Sequence, residues 1–127
     1  MKTSRRFLIS SIILVTVIAL GSILRPVPIP NSIEELNMLR GKLIFMQASN
    51  STKDISLKID GVDKLFYINR GMENPDALAL FNERNELYEK EITLGYPTYW
   101  TPLDWNNRHK HICYVEIQGE ERFVEWE

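Results

Sequence analysis

From Phe7 to Leu24 the chain runs for eighteen residues without a charge, and apolar positions there follow one another instead of alternating. Folded as a helix, such a run is roughly 27 Å long, about the hydrocarbon thickness of a bilayer. It predicts a helix lodged in lipid. Residues 1–6 carry Lys2, Arg5 and Arg6, whereas only Arg25 follows the run closely. The positive-inside bias therefore places residues 1–6 in the cytoplasm, the anchor at 7–24, and the rest of the chain on the far side. Ala19 and Gly21 also form a small-x-small pattern that a signal peptidase can read, which makes a secreted domain cleaved after Gly21 the alternative. The apolar run continues through Ser22, Ile23 and Leu24, and this favours the uncleaved anchor. Arg5-Arg6 loosely matches a twin-arginine export signal, but nothing else in the chain suggests a domain folded around a cofactor before export.

Beyond the span the pattern changes. Pro26, Pro28 and Pro30 occupy alternate positions, which predicts a stiff, extended spacer over residues 25–31. Residues 32–127 then read as one exported domain. Ser32 with Glu35 forms a capping box, and Ile33, Leu36 and Leu39 make an apolar stripe that stops at Gly41, so a short helix is expected from Ile33 to Arg40. Lys42 to Ala48 follows as an apolar stretch. After a polar turn, Ile55, Leu57 and Ile59 alternate with Ser56, Lys58 and Asp60, the pattern of a strand with one wet face. Asp60-Gly61 supplies turn chemistry, and Leu65 to Ile68 returns as the partner strand.

Asn74-Pro75-Asp76 is a helix start, with a capping side chain, proline at the first helical position and an acid suited to the dipole. Ala77, Leu80, Phe81, Leu87 and Tyr88 share a face of the helix, of roughly three turns, that follows. Strands are expected at Glu91 to Gly95, His111 to Gln118 and Arg122 to Trp126. The fold class is therefore α+β: two short helices with about six strands in a small antiparallel β-barrel or a strongly bent sheet.

Composition narrows the function. The part beyond Arg25 has eleven basic against seventeen acidic residues, a formal charge of −6, which disfavours binding to nucleic acid. Cys113 is the single cysteine, so no intrachain disulfide forms, and its plainest role is that of a small buried hydrophobe. Asn50-Ser51-Thr52 fits an N-glycosylation acceptor, which matters only in a eukaryotic secretory pathway.

Three segments can carry chemistry. The loop from Gly95 to Asn107 gathers Tyr96, Tyr99, Trp100 and Trp105 with Asp104, Asn106 and Asn107. Large rigid aromatics among hydrogen-bonding groups grip partner proteins or sugar faces, although the same residues also serve to pack a long loop onto a small core. In the second segment His109, His111 and Cys113 recur with period two, which would set two imidazoles and a thiolate on one strand face for Zn²⁺, with Asp104 as a fourth ligand. No further histidine or cysteine exists to complete a firm set, and histidines at the start of a strand are ordinarily solvated, so no cofactor is expected. The third is Asn69-Arg70-Gly71, where a strand end presents a guanidinium to an anionic group.

No acid pair or nucleophile with an oriented base stands out. The reading is a single-pass membrane protein whose extracytoplasmic domain binds another envelope component, a protein or a glycan, through the aromatic loop. The rival from another class is a small zinc- or thiol-dependent envelope enzyme using His109, His111 and Cys113.

Overall fold

The computed structural model describes residues 2–24, 28–99 and 104–126. The apolar run folds as one helix, α1 (Lys2–Ile23). Its stretch Ser4–Ile23 is long and apolar enough to cross a membrane, and none of its best apolar window is buried against the rest of the protein. By length and composition it serves equally as an anchor or as a signal sequence. The hydroxyls of Ser11, Thr16 and Ser22 donate to the carbonyls four residues back at 2.8–2.9 Å, so these polar groups are satisfied within the helix, as an apolar surrounding requires.

The remainder is α+β. In chain order it comprises β1 (Leu36–Ala48), β2 (Ile55–Ile59), β3 (Leu65–Ile68), α2 (Pro75–Asn82), α3 (Arg84–Leu87), β4 (Glu91–Pro97), β5 (His109–His111), β6 (Tyr114–Ile117) and β7 (Glu120–Val124). The strands form one seven-stranded sheet in the order β5-β3-β2-β1-β4-β6-β7. β1 makes this possible by its length of thirteen residues: Leu36–Lys42 pair with β4, and Leu43–Ala48 pair with β2. The register shifts between Leu43 and Phe45, so Ile44 is an extra residue that bends the strand where its partner changes.

The sheet departs from the sequence-based expectation in three ways. Among the described residues it has seven strands where about six are expected, one pairing is parallel, and of the two expected forms the barrel is excluded because the sheet is open. β5 runs parallel to β3, with Leu65 opposite His109 and Tyr67 opposite His111, because the chain leaves β4, crosses to the free side of β3 and travels along it. The expected strand from His111 to Gln118 is thus two strands, joined by Ile112 and Cys113. Their N–H groups donate to Tyr67 O (2.8 Å) on β3 and Gly95 O (2.9 Å) on β4. One hydrogen bond to each arm is not a ladder, and the sheet does not close into a barrel.

The helix expected from Ile33 to Arg40 is also corrected. Only Ile33–Glu35 forms a turn of 3₁₀ helix; Ser32 makes no side-chain cap, and Glu35 Oε2 accepts instead from the Asn31 N–H at 3.3 Å. From Leu36 onward, ladder bonds to β4 outweigh the local helical signal. Gly41, read as a helix stop, is instead a close approach: a Cβ there would collide with Cγ2 of Ile59. The second helix is broken at Glu83 into α2 and α3.

The core follows the period-two pattern of the strands. Ile55, Leu57, Ile59, Phe66 and Ile68 are all buried, and Ala77, Leu80 and Leu87 from the two helices pack into the same cluster. Asn74 Oδ1 accepts from the N–H groups of Asp76 and Ala77, both at 3.0 Å, which fixes the start of α2. At its far end Arg122 Nη2 of β7 lies 2.6 Å from Glu83 Oε2.

Candidate functional site

The crossing at Ile112–Cys113 positions the chemistry. His111 ends β5 and Cys113 precedes β6, so the two side chains are spaced by one residue in an extended segment held by backbone bonds to both arms of the sheet. The β6–β7 hairpin brings in a third group. Its turn is Gln118-Gly119, with φ of 54° and 81°, as a two-residue hairpin of this hand requires. The Glu125 N–H then donates to the Cys113 carbonyl at 3.0 Å.

His111, Cys113 and Glu125 consequently meet, one ligand atom of each lying within 4.8 Å of the others. His111 Nε2 is 2.8 Å from Glu125 Oε1, with both side chains largely buried. The contact is close but poorly aligned for a hydrogen bond, and Glu125 Oε2, the other carboxylate oxygen, is buried with no hydrogen bond among the described residues. The imidazole lies flat against Tyr67, ring centroids 5.5 Å apart and planes 13° apart, which fixes its orientation. Burial pushes the Cys113 thiol up, and the adjacent Glu125 carboxylate, whose charge disfavours a thiolate, pushes it further. Burial acts to raise the Glu125 carboxyl as well, but His111 and the Cys113 thiol outweigh it and hold it below the ordinary carboxylate range.

These three residues line a cleft of about 220 Å³. Pro28, Ile29, Pro30, Asn69, Pro97 and Tyr99 complete its lining. Burial, followed by the neighbouring Tyr67, Cys113 and Glu125, pushes the Tyr99 phenol up to about 12. Arg25, Pro26 and Val27, the first part of the expected spacer, lie outside the described residues.

The aromatic loop divides among several tasks. Tyr96 packs on the core, its ring 5.7 Å from that of Phe66. Tyr99 is half-buried in the cleft wall, and Trp105 is 81% exposed. Trp100 lies outside the described residues. Asp104 Oδ1 accepts from the N–H groups of Arg108 (3.0 Å) and His109 (3.2 Å), and Asn107 Oδ1 accepts from Lys110 Nζ, so both polar residues hold the loop itself. Asn106 is exposed. Arg70, at φ 50°, pairs with Glu73 at 2.7 Å instead of facing an open anion site.

The sequence-based trio is regrouped. His109 is exposed and its Nδ1 lies 3.5 Å from Asp104 Oδ1, apart from the cluster that holds His111 and Cys113. Glu125 takes its place, and sequence reasoning missed it.

No protein-family model, no curated protein and no solved structure matches this chain.

Proposed function

We propose that the protein is a membrane-tethered binding module: α1 holds it in the bilayer, residues 1–6 remain in the cytoplasm, and the α+β domain engages another envelope component outside. The observation that carries this reading is the contrast between α1, whose apolar window is entirely unburied, and a domain that completes a core of its own without it. An apolar face of that size in water is unfavourable by roughly 25 cal/mol per Å², so the helix belongs in lipid. The surface proposed for contact surrounds Tyr99 and Trp105, where a half-buried phenol borders the cleft and an indole stands in solvent. Trp100 belongs with them by sequence. Indole and phenol groups of this kind supply apolar area and a hydrogen bond at little entropic cost, as protein and glycan contacts demand.

Protease added outside intact cells is expected to digest the domain and leave a membrane-protected N-terminal fragment. Crosslinking in the membrane followed by mass spectrometry then reads the partner: Tyr99→Ala and Trp105→Ala are expected to abolish the crosslinks while the domain keeps its circular dichroism. An intact domain found in the cytosol overturns the topology, and unchanged crosslinks overturn the contact surface. Because α1 also satisfies the requirements of a signal sequence, the second reading is a secreted domain. An N-terminal peptide beginning at Ser22 establishes it; an intact mass that retains the first twenty-one residues excludes it.

A further inference from the structure

We infer that His111, Cys113 and Glu125 form a binding site for a single divalent transition-metal ion of the zinc type, open to the cleft that Pro28, Pro30 and Tyr99 also line. Three observations converge. The donor atoms lie within 4.8 Å of one another, whereas a tetrahedral ion with bonds of about 2.0–2.3 Å holds its donors roughly 3.3–3.8 Å apart, a difference that small side-chain rotations close. Glu125 Oε2 is a buried polar atom that makes no hydrogen bond among the described residues, and His111 Nε2, also buried, has only its 2.8 Å contact with Glu125 Oε1, so a buried lone pair is left for something else to satisfy. And the three side chains stand on restrained backbone: Ile112 and Cys113 are tied to β3 and β4, Glu125 to Cys113, and the His111 ring is stacked on Tyr67.

The donor chemistry selects the ion. One nitrogen, one sulfur and one carboxylate oxygen suit a borderline ion such as Zn²⁺; Ca²⁺ and Mg²⁺ demand oxygen throughout, and Cu⁺ prefers a set without carboxylate. Binding forms a metal–sulfur bond and breaks the S–H bond of Cys113, so one proton passes to the buffer for each ion taken up. With three protein ligands, a fourth position is left for the cleft of about 220 Å³, whose lining includes Tyr99, Pro28 and Pro30.

The test uses the full-length protein in detergent, first stripped with chelator. Titration with Co²⁺ is expected to give a thiolate-to-cobalt charge-transfer band that saturates at one ion per chain and is displaced by Zn²⁺. Losing an outer partner of a metal site weakens affinity about 10–100-fold, so removing a ligand itself, in Cys113→Ser, His111→Gln or Glu125→Gln, is expected to weaken Zn²⁺ binding at least about 100-fold. His109→Gln is expected to leave it unchanged. Circular dichroism identifies any variant that fails to fold; Glu125→Gln, in the turn after β7, is the variant that perturbs packing least. No thiolate band with excess Co²⁺ on the wild-type chain overturns the inference. So does Zn²⁺ affinity that survives loss of Cys113 or Glu125 in a folded variant.

Discussion

Gly95 of β4 is packed so tightly against Tyr114 of β6 that a Cβ added to the glycine would stand 2.9 Å from the tyrosine's own Cβ. The obstacle is a rigid atom next to the backbone, and Leu36 Cδ1 would crowd the same position at 2.8 Å. Gly95→Ala is therefore expected to destabilise the domain by about 1–3 kcal/mol through overpacking. Urea unfolding followed by tryptophan fluorescence reads it; an unchanged midpoint would show that β4 and β6 can separate without penalty.

Asn74 caps α2 with two accepted N–H groups. Asn74→Ala leaves both without a side-chain partner and is expected to cost about 1 kcal/mol, while Asn74→Asp is expected to stay near wild type. The same unfolding measurement distinguishes them.

Alkaline pH should weaken the fold. Burial and the neighbouring Tyr67, Cys113 and Glu125 push Tyr99 up to about 12, and Tyr114 is pushed to about 12 by burial and by its 2.9 Å hydrogen bond to Glu116. A phenol whose folded value exceeds the unfolded one of about 10 favours the fold in its protonated form; that contribution is complete below pH 10 and is lost as pH rises through about 12. Absorbance titration of tyrosinate is expected to show late-ionising phenols, one fewer in Tyr99→Phe, and Glu116→Gln is expected to bring the Tyr114 step to lower pH.

A charge in the middle of α1 tests the anchor. On translocon scales an arginine at the centre of a span costs about 2.5–3.5 kcal/mol. Val15→Arg is expected to move the protein from the carbonate-resistant membrane fraction toward the extractable one, with the folded domain unaffected. Retention of this variant in the membrane would mean that contacts of the domain, and not α1, hold the protein there.

The parts of this fold that were readable in the sequence rest on local physics. Alternation at Ile55, Leu57 and Ile59 located β2, the run from Leu65 to Ile68 gave β3, and Asn74-Pro75 marked the start of α2. What misled were short-range signals overruled by distant partners. Ser32, Glu35 and Gly41 imitate a helix, yet Leu36–Lys42 are claimed by β4, whose paired residues run from Glu91 to Pro97. Glu125 escaped notice for a related reason. Counting back from the Gln118-Gly119 turn, an unbulged hairpin sets Val124 across from Cys113; the register shift between Val115 and Glu116 makes Arg122 an extra residue and moves Glu125 into that place. A one-residue bulge leaves no mark in hydrophobic periodicity, so His111 and Cys113 were visible as candidates while their partner was not.

β7 is an outermost strand of the sheet, and it opens with Glu120, Glu121 and Arg122. On the proposed reading that α1 stays in the bilayer, molecules in one membrane would meet repeatedly at fixed height, a crowding that rewards any sticky margin. Two such acidic borders repel when laid side by side, and this guards neighbouring copies against zippering into fibrils.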